Sequence, residues 1–368
     1  MKFGKTFIQK TKRYKTPFLV IDGKKVAENY QKLKKNMSDL DVFYSVKAND
    51  DPRILKTLAK EGCSFEIASS KELRVLIELG VPPERIVCFH TIKTPEFLVE
   101  LKKKKIKILA FDSFEEIDKI AKFAPGSEVV LRIVVNNEGS EWPLTKKFGI
   151  EAGSAIKYLK YAKSKGLKPL GLTCHVGSQC MNKNNWISAL YEYDAIWEQA
   201  KKLGIQLTLL SLGGGLPVKH LKAIPTIEEI AHTINPALKK FKAKHNDVVV
   251  TFEPGRGLIG DTGIMVTSVI GHAKREKEDW IYTDLGVFNG LMETIEGFMY
   301  EIKTEKNRKK KIVTVGGPSC DSVDIPFKDI AIPEVKLGER LYLLNSGAYT
   351  TVYAAPFNGF DVPEVYFI

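Results

Sequence analysis

From Pro17 to about Glu253 the sequence alternates short apolar runs with longer amphipathic stretches, and that alternation leaves few folds open. The runs are FLVI at 18–21, VFYSV at 42–46, SFEIA at 64–68, RIVCF at 85–89, KILAF at 107–111, EVVLRIVV at 128–135, LGLTCHV at 170–176, LTLLSL at 207–212 and DVVVTFE at 247–253. They are short, β-branched and apolar, as buried strands are. Between them lie stretches such as SSKELRVLIELG (69–80), with apolar residues at helical spacing, Ser69 or Ser70 as N-cap and Gly80 as terminator. AIKYLKYAKSKG (155–166) has the same form. A helix between consecutive strands makes those strands parallel. Repeated over roughly 235 residues, the pattern fits a (β/α)₈ barrel, whose usual length is ~250 residues. Nine runs compete for eight places, so one belongs elsewhere, and the pattern leaves open which.

After Gly257 the rhythm changes. TGIMVTSVIGH (262–272), DWIYTDLG (279–286), KIVTVGG (311–317) and ERLYLLNSGAYTTVYA (339–354) are strand-like, and helical patterns nearly vanish. The expected organisation is an α/β barrel over 17–256 and an antiparallel β domain over 257–368, joined by about residues 1–16 as a terminal strand.

Composition removes several classes. With 44% hydrophobic and 27% charged residues among 368, the chain is neither disordered nor fibrous. Apolar runs stay far below the length of a membrane span. The basic N-terminus has no apolar stretch longer than Phe18–Ile21, too short for a signal-peptide core, so a cytoplasmic protein is expected. Five Cys without a CxxC pair argue against a disulfide framework, and Cys174, His175 and Cys180 lack the fourth ligand and the spacing of zinc, so no metal is expected. The net charge of +12 gathers in Lys102–Lys105 and in the KNRKKK run ending at Lys311. Neither run is interleaved with aromatics. Both read as solvated faces, with no specific nucleic-acid partner.

Barrel chemistry sits at the C-terminal strand ends. There the sequence places Lys47 in YSVKAN (44–49), an amine able to form a Schiff base. CHVGSQ (174–179) carries His175 and Ser178. SLGGGLP (211–217) supplies a glycine turn whose N–H groups suit an anion, with no following Lys-Ser or Lys-Thr of a nucleotide loop. EPGRG (253–257) supplies Glu253 and Arg256. Gly255, Gly257 and Gly260 spell GxGxxG, but the strand-like GIMVTSVIG that follows excludes a dinucleotide fingerprint, which requires a helix there. GPSCDSVD (317–324) and SGAYTTVYAAPFNGF (346–360) add Cys320, Asp321, Tyr349 and Phe357. Taken singly, each has an ordinary structural reading: a solvated lysine, a packed histidine, a bare turn, an ion pair, a buried thiol, core aromatics.

Taken in order, YSVKAN, HVGSQ, GGGLP, EPGR, GPSCDSVD and GAYT with FNGF run from residue 44 to 360. In this series the sequence resembles the fold-type III pyridoxal-phosphate decarboxylases of basic amino acids, the ornithine/lysine/arginine/diaminopimelate group, whose fold is a barrel plus a β domain. The resemblance implies that Lys47 binds pyridoxal 5'-phosphate covalently, that His175 stacks on its ring and that Glu253 pairs with the ring nitrogen. It implies that Ser178, Gly213, Gly214, Gly215, Arg256 and Tyr349 hold the phosphate, and it places Arg132, Glu66 and Glu72 near the cofactor. Glu66 stands where eukaryotic relatives commonly have Asp. The resemblance further implies a homodimer with shared active sites, Cys320, Asp321 and Phe357 completing the partner's site and Cys320 returning a proton to the substrate's Cα.

Within the group, the Cys-Asp-Ser order at 320–322 suits a distal ammonium, whereas diaminopimelate enzymes present Cys-Glu-Ser. DLGVFNGLMETIEG (284–297) and EWPLTKKFG (141–149) resemble the bacterial ornithine/lysine enzymes, with Glu293 or Glu296 as a second acidic contact. The expected activity is decarboxylation of L-ornithine, and of L-lysine too, to putrescine or cadaverine in polyamine biosynthesis. The alternatives are another cationic substrate (arginine, carboxynorspermidine or diaminopimelate), a non-catalytic relative that binds a regulatory protein, and a basic nucleic-acid-binding barrel. Whether the loop 136–147, with Trp142 and Pro143, closes over the site as a lid is left open by the sequence.

Overall fold

The structure, a computed structural model, describes residues 3–144 and 146–368. It divides into two units, one of Glu28–Pro217 with Ile224–Gly257, the other of Met1–Ala27, Val218–Ala223 and Leu258–Ile368.

Among the described residues the first unit holds eight parallel barrel strands: β1 (Asp41–Ser45), β2 (Ser64–Glu66), β3 (Ile86–Val87), β4 (Ile108–Phe111), β5 (Glu128–Arg132), β6 (Lys168–Thr173), β7 (Leu209–Ser211) and β8 (Val249–Phe252). Their order around the sheet is β3-β2-β1-β8-β7-β6-β5-β4, so each strand lies beside its neighbour in sequence. The ends meet at a parallel bridge from Cys88 to Leu109. There Cys88 N–H donates to Ile108 O at 3.1 Å and Ala110 N–H to Cys88 O at 2.8 Å. Inward residues such as Phe43, Val87, Phe89, Ala110, Val130 and Leu209 pack into one core cluster. The helix Ser70–Glu78 starts and stops as its sequence dictates: Ser69 Oγ accepts from Glu72 N–H at 3.3 Å, and Gly80 turns the chain at φ 75°.

The ninth apolar run belongs to the second unit. Phe18–Ile21 pairs antiparallel with Gly263–Arg275 and parallel with Glu364–Phe367. The expected barrel start at residue 17 is therefore too early. With both edges paired and all four side chains buried, this strand has the unbroken apolar look of a parallel barrel strand. The rest of this sheet runs Glu301–Thr304, Arg340–Leu344, Gly263–Arg275, Glu278–Thr283, Lys310–Gly316, Phe327–Pro333. It is mostly antiparallel; besides the pair just named, Glu278–Thr283 and Lys310–Gly316 run parallel. The N-terminal segment, of which residues 1 and 2 lie outside the described part, forms a helix, Lys5–Thr11, rather than a strand. Its Phe7 joins Phe18, Val20, Ile264, Val266 and Tyr342 in the core of this unit, an apolar anchor that needs no strand pairing.

Several cations of the lysine-rich runs have partners. Lys102 Nζ donates to Pro125 O at 2.8 Å. Arg308 grips Glu339 through both terminal nitrogens, at 2.5 and 2.7 Å, and Lys311 pairs with Asp279 at 2.9 Å. Among the described residues, no helix is long and apolar enough to cross a membrane.

Candidate active site

β1 runs into a short 3-10 turn, Val46–Ala48, which presents Lys47 at the C-terminal rim of the barrel. Its Nζ lies 2.8 Å from Glu66 Oε2, at the end of β2. The Glu66 side chain is 3% exposed and that of Lys47 46%, so the pair joins a buried anion to an amine that reaches outward. Glu72 stands behind, its Oε2 accepting from Ala68 N–H at 2.6 Å. Burial pushes the Glu72 carboxyl up to about 7; the Glu66 charge adds to this, and the Ala68 N–H and Lys47 oppose it.

His175 follows β6. Its Nδ1 accepts the Gly177 N–H at 3.0 Å, which leaves the proton of the neutral ring on Nε2. Burial, then repulsion from Arg132 and Lys47, pushes this imidazole down to about 3. At neutral pH it is an uncharged flat ring. Arg132, the last residue of β5, sets its guanidinium 5.3 Å from the centre of the Phe148 ring.

The glycine turn follows β7 and lies against both His175 and Glu253. A Cβ on Gly213 would sit 2.0 Å from Cys174 O, one on Gly214 2.8 Å from Glu253 O and 3.1 Å from His175 Nε2, and one on Gly215 2.7 Å from Gly177 O. Gly213 and Gly215 also take φ of 66° and 107°. Three glycines in a row are thus a packing requirement here. Glu253 leaves β8 with its N–H donating to Gly213 O at 2.8 Å. Its Oε1 accepts from Ser211 Oγ and, at 3.2 Å, from Thr173 Oγ1. Burial raises this carboxyl and the Glu66 charge raises it further, against the Ser211 hydroxyl, Lys47 and Arg132. Ser211 and Thr173 escaped the sequence reading. The available signal was position, since Ser211 opens SLGGGLP and Thr173 ends β6.

Arg256 is buried, its guanidinium 5.3 Å from the Trp142 ring centre. Ser178 begins the strand Ser178–Cys180, which pairs antiparallel with Ser140–Trp142. Asn137 Nδ2 donates to His175 O at 2.9 Å, and its Oδ1 accepts from Leu144 N–H at 2.8 Å. The loop 136–147 is thus tied to His175 through Asn137 and to Ser178 through Trp142; its residue Thr145 lies outside the described part.

The remaining predicted residues lie in the second unit. Cys320 is exposed, and its N–H donates to Asn358 Oδ1 at 3.0 Å. Asp321 is exposed, its Oδ1 accepting from Val323 N–H at 2.9 Å. Phe357 is 41% exposed with its ring 4.6 Å from that of Phe288. Tyr349, at φ 54°, stacks on Tyr353 with 6.1 Å between ring centres. In the 3-10 turn Met292–Glu296, Glu293 is half-buried and Glu296 exposed.

One rim therefore combines an amine, a neutral imidazole, a buried carboxylate and a glycine turn beside a buried guanidinium. That set can bind an aldehyde, support a flat ring and receive an anion. Residues 23–260 match the family described as "Pyridoxal-dependent decarboxylase, pyridoxal binding domain". The chain is 36% identical to a lysine/ornithine decarboxylase of Selenomonas ruminantium, over 95% of this chain and 88% of that one. A crystal structure of lysine decarboxylase from Selenomonas ruminantium superposes with a TM-score of 0.92 at 33% identity, covering 100% of this chain and 97% of the other. The lysine/ornithine decarboxylase of Vibrio vulnificus, complexed with putrescine, gives a TM-score of 0.90 at 27% identity, with 99% and 97% covered.

Proposed function

The chain belongs to the pyridoxal-dependent decarboxylases, and from that footing we propose that it removes the α-carboxyl group of L-ornithine, and of L-lysine, releasing putrescine or cadaverine for polyamine synthesis. It is a pyridoxal-phosphate-dependent lyase. The observation that carries the substrate reading is Asp321, an exposed carboxylate directly after Cys320, of the charge a distal ammonium needs.

The residues present fit the cofactor. Lys47 offers the amine for its aldehyde, and the neutral His175 ring offers a face. The glycine turn has no Cβ to keep a phosphate away, and Arg256 supplies a guanidinium; Ser178 and Tyr349 add hydroxyls by resemblance to the family. Glu253 is buried at a cost to its charge, and a protonated ring nitrogen is the partner that would relieve it. Once bound, pyridoxal phosphate supplies an electron sink for the pair left behind as CO₂ departs. Glu253 would hold a proton at the ring nitrogen, Lys47 would hold the cofactor's aldehyde end until the substrate amine binds, and Cys320 would donate a proton at Cα. Arg132, Glu66 and Glu72 set the local field.

Asp321 faces the distal ammonium in this reading. Of the two candidates for a second acidic contact, half-buried Glu293 fits better than exposed Glu296, because a partly desolvated carboxylate interacts more strongly with a cation. A homodimer with shared sites belongs to the same proposal. Beside Cys320 the second unit leaves Val323, Phe357 and Val362 between 41% and 51% exposed, apolar area that a second copy would cover. A cytoplasmic location is supported by five cysteines that are all free.

The test is CO₂ release from ornithine, lysine, arginine, diaminopimelate and carboxynorspermidine with saturating cofactor. Ornithine should be preferred, with lysine within about 10–200-fold, the range one methylene gives. Preference for any of the other three would overturn the substrate assignment.

A further inference from the structure

Cys320 rides on the loop between the strands Lys310–Gly316 and Phe327–Pro333. Such a loop has no ladder to shape it, so its N–H groups depend on other acceptors. Asp324 Oδ2 accepts from Ser319 N–H at 2.9 Å, and Asp321 Oδ1 from Val323 N–H at 2.9 Å. Both of these lie inside the loop. The N–H of Cys320 itself goes outside it, to Asn358 Oδ1 at 3.0 Å, across 38 residues of sequence.

Asn358 is held in turn. It sits at φ 55°, ψ 18°, a left-handed conformation that Asn and Gly tolerate best. The preceding Phe357 ring packs on Phe288, and Ala355 N–H donates to Phe288 O at 2.9 Å. The same segment is tied to the cysteine loop from the other side, because Asp324 Oδ1 accepts from Val287 N–H at 2.7 Å. Asp324 is 4% exposed, and a Cβ on either Gly286 or Gly317 would come within 2.1 Å of its Oδ1. The loop, the 357–359 turn and the Val287–Phe288 segment thus form a closed circuit, and Asn358 is its contact with the residue that bears the thiol.

We infer that Asn358 is a positioning residue, whose side-chain oxygen fixes the Cys320 backbone so that the thiol delivers its proton to the substrate's Cα. The assignment rests on the reading of Cys320 as proton donor. In that step the S–H bond breaks and a C–H bond forms with the electron pair left by CO₂, and the thiolate is reprotonated from solvent. A proton arriving instead at the cofactor's aldehyde carbon leaves the nitrogen on the cofactor. The substrate carbon then departs as an aldehyde, its oxygen taken from water. The ratio of aldehyde to amine therefore reports where the proton lands, which mere loss of stability does not change.

The experiment uses the full-length holoenzyme with ornithine. Asn358→Gly keeps the left-handed backbone and removes the acceptor, whereas Asn358→Asp keeps both. The glycine variant should raise the aldehyde-to-amine ratio by about tenfold or more, the factor that loss of one ~1.4 kcal/mol restraint allows, and the aspartate variant should stay within about twofold of the parent. A ratio in the glycine variant within about twofold of the parent, or equal disruption in both variants, overturns the assignment. A second readout needs no variant and no turnover. In the parent protein the Cys320 amide should exchange with deuterium about tenfold or more slowly than the Ser322 amide, and equal exchange also overturns the assignment. Cys320→Ala with an unchanged ratio would instead remove the premise that this thiol is the donor, and the positioning role with it.

Discussion

The amine of Lys47 and the carboxylate of Glu66 form a 2.8 Å ion pair in which the anion is buried and the cation is not. Such a pair responds unequally to losing one partner. Lys47→Ala strands a carboxylate in a poorly solvated place and should cost the cofactor-free protein roughly 1–3 kcal/mol. Adding Glu66→Gln should recover most of that. Urea unfolding of the two single variants and the double variant measures it, and strictly additive effects would contradict the coupling.

His175 gives a pH dependence with a definite sign. Its folded value, about 3, lies below the 6.5 of a free imidazole. The unfolded chain therefore binds the proton more readily, and the stability at stake is full above 6.5 and is lost as pH falls toward 3. In the cofactor-free protein, His175→Gln should flatten the fall of Tm between pH 6.5 and 4 relative to the parent. Parallel curves over that window would show that the ring titrates normally.

The glycine turn is testable by volume alone at Gly214, where the added methyl would sit 2.8 Å from Glu253 O. Gly214→Ala should cost about 1–3 kcal/mol of stability, as overpacking does. It should also weaken cofactor binding, because the methyl pushes against His175 and Glu253 together. Cofactor titration by absorbance measures the second effect, and unchanged affinity would show that the turn has no part in binding.

Much of this was legible in the sequence for a reason that can be named. Strands and helices of a barrel repeat with fixed periods, and the glycines of SLGGGLP announce a close approach before anything is known of what approaches. Phe18–Ile21 was ambiguous because a strand paired on both edges looks alike in either sheet. Ser211 and Thr173 were missed because their role, donating to Glu253, exists only once β6, β7 and β8 lie side by side. Asn358 is silent in the sequence, since a side chain that accepts one distant N–H leaves no periodic trace. The choice between Glu293 and Glu296 is open in the sequence because the likeness to the eukaryotic enzymes slips there by about one residue, and the fold adds that Glu293 is half-buried and Glu296 exposed.

In the proposed substrate reading, the distal ammonium is faced by Asp321. Its replacement by Asn removes the charge facing the distal ammonium and should lower kcat/KM for ornithine and lysine by about 10–100-fold, the usual worth of a charge-assisted hydrogen bond. Steady-state assays on both substrates check this, and an effect confined to one of them would place the carboxylate elsewhere.

Every proposed step requires that Lys47 capture pyridoxal phosphate covalently. Borohydride reduction of the cofactor-loaded protein, followed by digestion and peptide mass spectrometry, tests it directly. One pyridoxyl-phosphate adduct per chain is expected, on the peptide containing Lys47. An adduct on another lysine, or none with Lys47 unmodified, would contradict it.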